Sequence, residues 1–133
     1  MKRDDIPLVK AVEEYIKKKY GVSGDCPFPD DFDDMAFRHL DNRKWFALLL
    51  LVRREKFFPE KPGELYLLNL KNDPRRLPLL FDERVHPAYH MNRKHWLSCL
   101  LDEGADLPLL KRLIDESYAL TAPKKARSRK KSA

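Results

Sequence analysis

Trp45-Phe46-Ala47-Leu48-Leu49-Leu50-Leu51-Val52 is the longest apolar run in the chain. Its length suits a β-strand and falls far short of a membrane span. A continuous run, rather than an alternating one, predicts a central strand covered on both faces, or with one face open to a partner. Punctuation on either side fixes its limits. Asp41-Asn42-Arg43 reads as a hairpin turn before it, and Arg53-Arg54-Glu55-Lys56 with Pro59 and Pro62-Gly63 forms the connection after it.

Before this turn, Met35, Phe37 and His39 alternate with Ala36, Arg38 and Leu40, the pattern of the hairpin's first strand. Glu64 to Leu70 is a third strand, Val85 to Tyr89 is extended, and Lys94 to Leu101 is the last strand. A helix precedes the sheet. Ile6, Val9, Val12, Ile16 and Tyr20 recur at three- and four-residue spacing, with Asp4 or Asp5 to cap, Pro7 in the first turn and Gly21 to end it. Asn72-Asp73-Pro74 signals a second helix with Leu77, Leu80 and Phe81 on its apolar side, but Pro78 makes it short or late. The final helix has Asp106 as cap, Pro108 in its first turn, a stripe of Leu110, Leu113, Ile114 and Tyr118, and Pro123 beyond its end. Antiparallel strands framed by helices give an α+β fold, a two-layer sandwich of one sheet against the N- and C-terminal helices.

With 133 residues the chain fits one domain with a real core. The formal charge of +6 is unevenly placed. Lys124, Lys125, Arg127, Arg129, Lys130 and Lys131 supply six of the 27 bases, leaving 21 bases against 21 acids in the rest. Residues 1–121 are therefore expected as a neutral domain and 122–133 as a basic, disordered tail that attracts polyanions or simply solubilises. Met1-Lys2-Arg3-Asp4-Asp5 lacks the apolar stretch of a secretory signal. Cys26 and Cys99 form no ligand-like pair and read as free thiols, so a cytoplasmic location is expected.

Chemistry-bearing clusters are few. Asp30, Asp31, Asp33 and Asp34 could hold a hard cation, but lack the Gly and distal Glu of a calcium loop and read as solvated turn residues. His86, His90 and His95 invite a zinc reading, yet Pro87 and the extended pattern oppose the helix that would aim His86 and His90 together. Ser98 and Cys99 lie in an apolar strand, where they read as core rather than as nucleophiles. No metal, cofactor or catalytic set is expected.

Tyr89-His90-Met91-Asn92-Arg93-Lys94-His95-Trp96, followed by a short loop, a Pro-started helix and Ser117-Tyr118, resembles the MmcQ/YjbR family of small bacterial proteins. Phe37-Arg38-His39, Asp41-Asn42 and Lys44-Trp45-Phe46-Ala47 agree with the resemblance, which covers roughly residues 5 to 121. It implies a frataxin-like (CyaY-like) sandwich. The family is commonly described as DNA-binding, an inference from fold shape without an assigned reaction. Frataxins bind iron through an acidic helix ridge, whereas here Asp4, Asp5, Glu13 and Glu14 are diluted by Lys10, Lys17, Lys18 and Lys19. Iron binding is not expected.

The nucleic-acid reading assigns phosphate contacts to Arg38, Arg43, Lys44, Arg93 and Lys94, because Arg43-Lys44 and Arg93-Lys94 each stand at the entrance to a strand. Asn92, His90 and His95 would add hydrogen bonds, and Trp96 could stack on a base. The plainer reading puts Trp96 and Trp45 in the core between sheet and helices, and Asn92 in closing a turn. With a neutral domain, binding to DNA is expected to be weak, largely sequence-independent, salt-sensitive and driven mostly by residues 124–131. The alternative is a protein-interaction or small-ligand module that exposes an apolar sheet face, including the Tyr66/Leu68 side of the third strand. A monomer is expected.

Overall fold

The computed structural model describes residues 6–28, 33–102 and 104–123. Five strands form one antiparallel sheet: β1 (Met35–Arg38), β2 (Trp45–Arg53), β3 (Glu64–Lys71), β4 (Val85–Pro87) and β5 (Trp96–Leu101). Their spatial order is β1-β2-β3-β5-β4. Helices α1 (Pro7–Tyr20) and α3 (Leu107–Thr121) cover one face, and α2 (Leu77–Leu80) is a single turn that starts late, with Pro78 in its first turn. The long α+β helices and the antiparallel sheet form the expected two layers.

The apolar run of β2 is central and covered on both sides. Ala47 and Leu49 face the helices with Tyr66, Leu68, Leu70, Leu97, Cys99 and Leu101, against Val9, Val12 and Ile16 of α1 and Leu110, Leu113 and Ile114 of α3. Leu48, Leu50 and Val52 face the other way with Leu65, Leu67 and Leu100. Among the described residues no α-helix covers that second face. Phe57 and Phe58, from the connection after β2, and Tyr89 and Met91, from the segment before β5, close over it. Tyr66 and Leu68 are fully buried beneath the helices. The exposed apolar sheet face expected for a protein-interaction module is therefore absent at these residues.

Local chemistry explains the boundaries. Gly21 ends α1 at φ 68°, and its N–H returns to the Lys17 carbonyl. The N-cap of α1 is Ile6, which makes no side-chain cap, and Asp4 and Asp5 lie outside the described residues. Asp106 caps α3 by accepting from the Leu109 N–H at 3.1 Å. Asp34 departs from the expected solvated turn: it is buried, and its carboxylate accepts the Leu51 N–H at 3.0 Å. Asp30 and Asp31 lie outside the described residues.

Register between β1 and β2 contains one irregularity. Phe37 pairs with Ala47, but Arg38 pairs with Trp45, so Phe46 is an extra residue in β2. This bulge lets Phe46 and Ala47 both face the helices and turns Trp45 onto the second face. Trp45 therefore does not pack between sheet and helices. It is half-buried beside the opposite core.

Candidate nucleic-acid interface

β2 and β5 each run antiparallel to β3, so they are parallel to one another and begin at the same end of the sheet. Arg43 and Lys44 precede β2, and Arg93 and Lys94 precede β5. Only β3 separates the two entrances, which places them about 10 Å apart at the backbone. All four side chains are exposed. Among the described residues none of them takes part in an ion pair or side-chain hydrogen bond.

Both turns are built in the same way. The Asn42 carboxamide oxygen accepts the Lys44 N–H at 3.0 Å, and that of Asn92 accepts the Lys94 N–H at 2.9 Å. These Asx turns hold the Arg-Lys pairs away from the strand ladder. Asn92 therefore closes its turn, as expected. Asn42 also donates to the Thr121 carbonyl at 3.1 Å, joining the hairpin to the end of α3. Arg43 adopts φ 62°, a left-handed conformation that the surrounding turn imposes on a non-glycine residue.

Beneath the first turn lies His39, only 2% exposed. Its Nε2 is 2.8 Å from the Thr121 hydroxyl, and its ring packs against Tyr118 and Phe46. Burial pushes the imidazole below its ordinary pKa. The backbone hydrogen bond with Tyr118 and the Asp41 carboxylate oppose that shift without reversing it, while Lys44 adds to it. Because α3 ends against this turn, the described chain leaves the fold at Pro123 on the same end as the basic pairs. Lys124, Lys125, Arg127, Arg129, Lys130 and Lys131 lie outside the described residues.

Three other cations at this end are committed to acids. Arg76 pairs with Glu116 at 2.8 Å and Arg75 with Asp73 at 2.9 Å. Arg38 is bound by Asp25 through Nε at 2.9 Å, and its guanidinium lies 5.4 Å from the Trp45 ring centre. It positions Trp45 more directly than it offers a free charge. Lys71, which ends β3 between the two entrances, has no such partner among the described residues.

The remaining sequence candidates divide. His95 is exposed in the second turn, and its carbonyl accepts the Asn72 N–H at 2.9 Å. Trp96 is half-buried and pairs with Lys71 across the β3–β5 ladder. Strand alternation puts Trp96 on the face of Ser98 and Leu100, opposite the helix-facing Leu97 and Cys99. It is not packed between sheet and helices. His90 is exposed at φ 62°, beside the Tyr89 ring at 3.9 Å. It lines a cleft of about 310 Å³ with Asp34, Leu50–Arg53, Lys56 and Tyr89, toward the far half of β2. The fold thus brings Arg43, Lys44, Asn92, Arg93, Lys94, His95 and Trp96 to one end and leaves His90 elsewhere.

The three candidate zinc ligands do not converge. His86 packs on Phe57 with its Nε2 against the Glu83 carbonyl, while His90 and His95 are exposed on separate parts of the loop. Among the described residues no group of three His, Cys, Asp or Glu side chains could hold a metal ion. Ser98 and Cys99 are core residues, and burial pushes the Cys99 thiol up to about 12. Nor is any described helix long and apolar enough to cross a membrane.

Sequence reading missed Lys71 and misplaced Trp45 and Trp96, both expected between sheet and helices. Nothing in the local pattern marks Lys71 except its position at the end of an apolar strand, and its pairing with Trp96 exists only in the register. The matching Asn-Arg-Lys triplets at 42–44 and 92–94 were the available signal, but are too short to stand out as a repeat.

The fold and this end of the sheet define a small α+β domain with paired basic turns at the entrances of two parallel-running strands. The chain belongs to the YjbR family, whose sequence model matches residues 17–120. It is 35% identical to the Bacillus subtilis (strain 168) protein YyaQ, described as uncharacterized, over 81% of this chain and 92% of that one. A crystal structure of a Pseudomonas syringae protein is similar at a TM-score of 0.81 and 33% identity, covering 85% of this chain and 97% of that one. The Deinococcus radiodurans protein DR2400, a DUF419 domain, is similar at a TM-score of 0.66 and 26% identity, covering 88% and 80% of the two chains. The family resemblance carried by Tyr89 to Trp96 is thereby confirmed.

Proposed function

We propose that the chain is a non-catalytic DNA-binding module that engages phosphates through Arg43, Lys44, Arg93 and Lys94. One observation carries the reading: two Asx-closed turns present, at the same end of one sheet, two Arg-Lys pairs that have no ion-pair partner among the described residues. A spacing of about 10 Å lies between the widths of the minor and major grooves, roughly 6 and 12 Å, so the pairs can reach phosphates on either side of a groove. Phosphate contacts carry no sequence information, which favours sequence-independent affinity. Residues 124–131 would add charge from the same end, beyond Pro123.

The test is fluorescence-anisotropy binding of a labelled duplex across a salt series. The full chain, residues 1–122 and a variant with Arg43, Lys44, Arg93 and Lys94 changed to Gln are compared. Four neutralised phosphates give a log–log salt slope of about −3.6. The Gln variant should lose that contribution, while residues 1–122 retain it. Binding abolished by the truncation and untouched in the Gln variant would assign DNA affinity wholly to the tail and reject the folded site.

A further inference from the structure

The second face of the sheet carries a row of side chains just above the basic turns. Arg38 on β1 pairs with Trp45 on β2, and Lys71 on β3 pairs with Trp96 on β5. The bulge at Phe46 is what brings Trp45 onto this face. Alternation places the others there too: Arg38 follows Ala36, Lys71 follows Leu67 and Asn69, and Trp96 precedes Ser98 and Leu100. Arg38 and Trp45 are cross-strand neighbours, as are Lys71 and Trp96, and the Ser117 hydroxyl bridges the two pairs by accepting the Lys71 N–H and donating to the Phe46 carbonyl, so four adjacent strands each carry one of these side chains on this face across about 14 Å. All four residues are partly exposed. At one end, Arg38 is tethered by Asp25 and lies over the Trp45 ring, with Phe28 at its edge 6.4 Å away.

Interleaved cations and aromatic rings are what an unpaired strand requires: bases stack on the rings while the backbone follows the charges. A duplex keeps its bases stacked on each other and gains nothing from the indoles. We infer that the occupant of this site is single-stranded DNA, with Trp45 and Trp96 stacking bases, Lys71 contacting the phosphate between them, and Arg38 positioning Trp45. This rests on the DNA-binding reading above and narrows it. Arg43, Lys44, Arg93 and Lys94 would then continue the phosphate track past the edge of the sheet.

Trp45 and Trp96 are the two tryptophans of the chain, so intrinsic fluorescence reads the platform directly. The full chain is titrated with oligo(dT) and with a duplex of equal length at one salt concentration, following tryptophan emission and probe anisotropy. Oligo(dT) should quench emission and bind at least tenfold more tightly than duplex. Trp96→Leu should weaken oligo(dT) about 5- to 150-fold, the range for losing one stacked base, and leave duplex affinity within twofold. Lys71→Gln, at a partly exposed site, should weaken oligo(dT) several-fold. It supplies the test, with the quenching, if circular dichroism shows Trp96→Leu to be misfolded. Equal affinity for both DNAs without quenching would overturn the platform while leaving the basic turns as a DNA site. Binding of neither would overturn both.

Discussion

Asn42 and Asn92 make the same contact in two turns far apart in the chain, each closing its loop on the N–H of the lysine two residues on. The shared geometry fixes where each Arg-Lys pair points and ties the two basic entrances to the ends of β2 and β5. The bonds differ in surroundings. Asn42 is half-buried and also reaches the Thr121 carbonyl, whereas Asn92 is exposed.

Asn92→Ala should therefore cost about 0.5–1 kcal/mol and Asn42→Ala about 1–2 kcal/mol, because the second removes two hydrogen bonds, one of them to the end of α3. Urea denaturation measures both. Equal losses would show that the Thr121 contact contributes nothing.

Asn69 and Ser98, fully buried on the second face, hold the segment before β5. Asn69 donates to the Tyr89 carbonyl at 2.8 Å, Ser98 accepts the Tyr89 N–H at 2.9 Å, and the Ser98 hydroxyl donates to the Asn69 carboxamide oxygen. Two side chains thus serve Tyr89 as a neighbouring strand would. Asn69→Ala strands the Ser98 hydroxyl and the Tyr89 carbonyl, at about 1–3 kcal/mol for each buried group. Hydrogen exchange should accelerate over residues 88–95 more than in α1. Unchanged protection there would remove this network's role.

Stability should fall on mild acidification. His39 is held below its ordinary pKa by burial, so the unfolded chain takes up this proton first. Its contribution is complete above about pH 6.5 and declines as the pH drops toward the lowered folded value. His39→Gln, which keeps a donor for Thr121, should flatten the denaturation midpoint between pH 7.5 and 5.5, on the order of the titration window. Asp115 acts lower. Burial alone would raise its pKa, but hydrogen bonds from Lys19, Tyr20 and Tyr15 outweigh that and lower it. Its contribution is present above about pH 4 and is lost as the pH falls through the depressed folded value. Asp115→Asn should remove that second loss while leaving the His39 one.

The two thiols should react very differently. Cys26 is exposed, whereas Cys99 is buried with its pKa pushed up to about 12. Iodoacetamide at neutral pH should label Cys26 alone in the native protein and both residues in denaturant. Rapid native labelling of Cys99 would mean that the helix layer opens over β5.

Much of the fold was legible because its signals are local. The apolar run at Trp45–Val52, the stripe of Val9, Val12 and Ile16, the Asp106 cap and the Gly21 stop each follow from a few neighbouring residues. Pro78 announced a short or late helix for the same reason, and α2 starts only at Leu77. The paired basic residues were visible as two strand entrances.

The inventory of elements, their antiparallel character and the chemical type of the exposed turns are thus written in the sequence. Backbone propensity and apolar periodicity act over a few residues and can be read from them. Which strands are neighbours is settled by long-range packing, and with it that Arg43-Lys44 and Arg93-Lys94 share one end and that Lys71 stands beside Trp96. The same packing turns Trp45 away from the helices, through a single extra residue in β2. Register is set by contacts between distant segments, and one residue of slip reverses the face of every side chain beyond it.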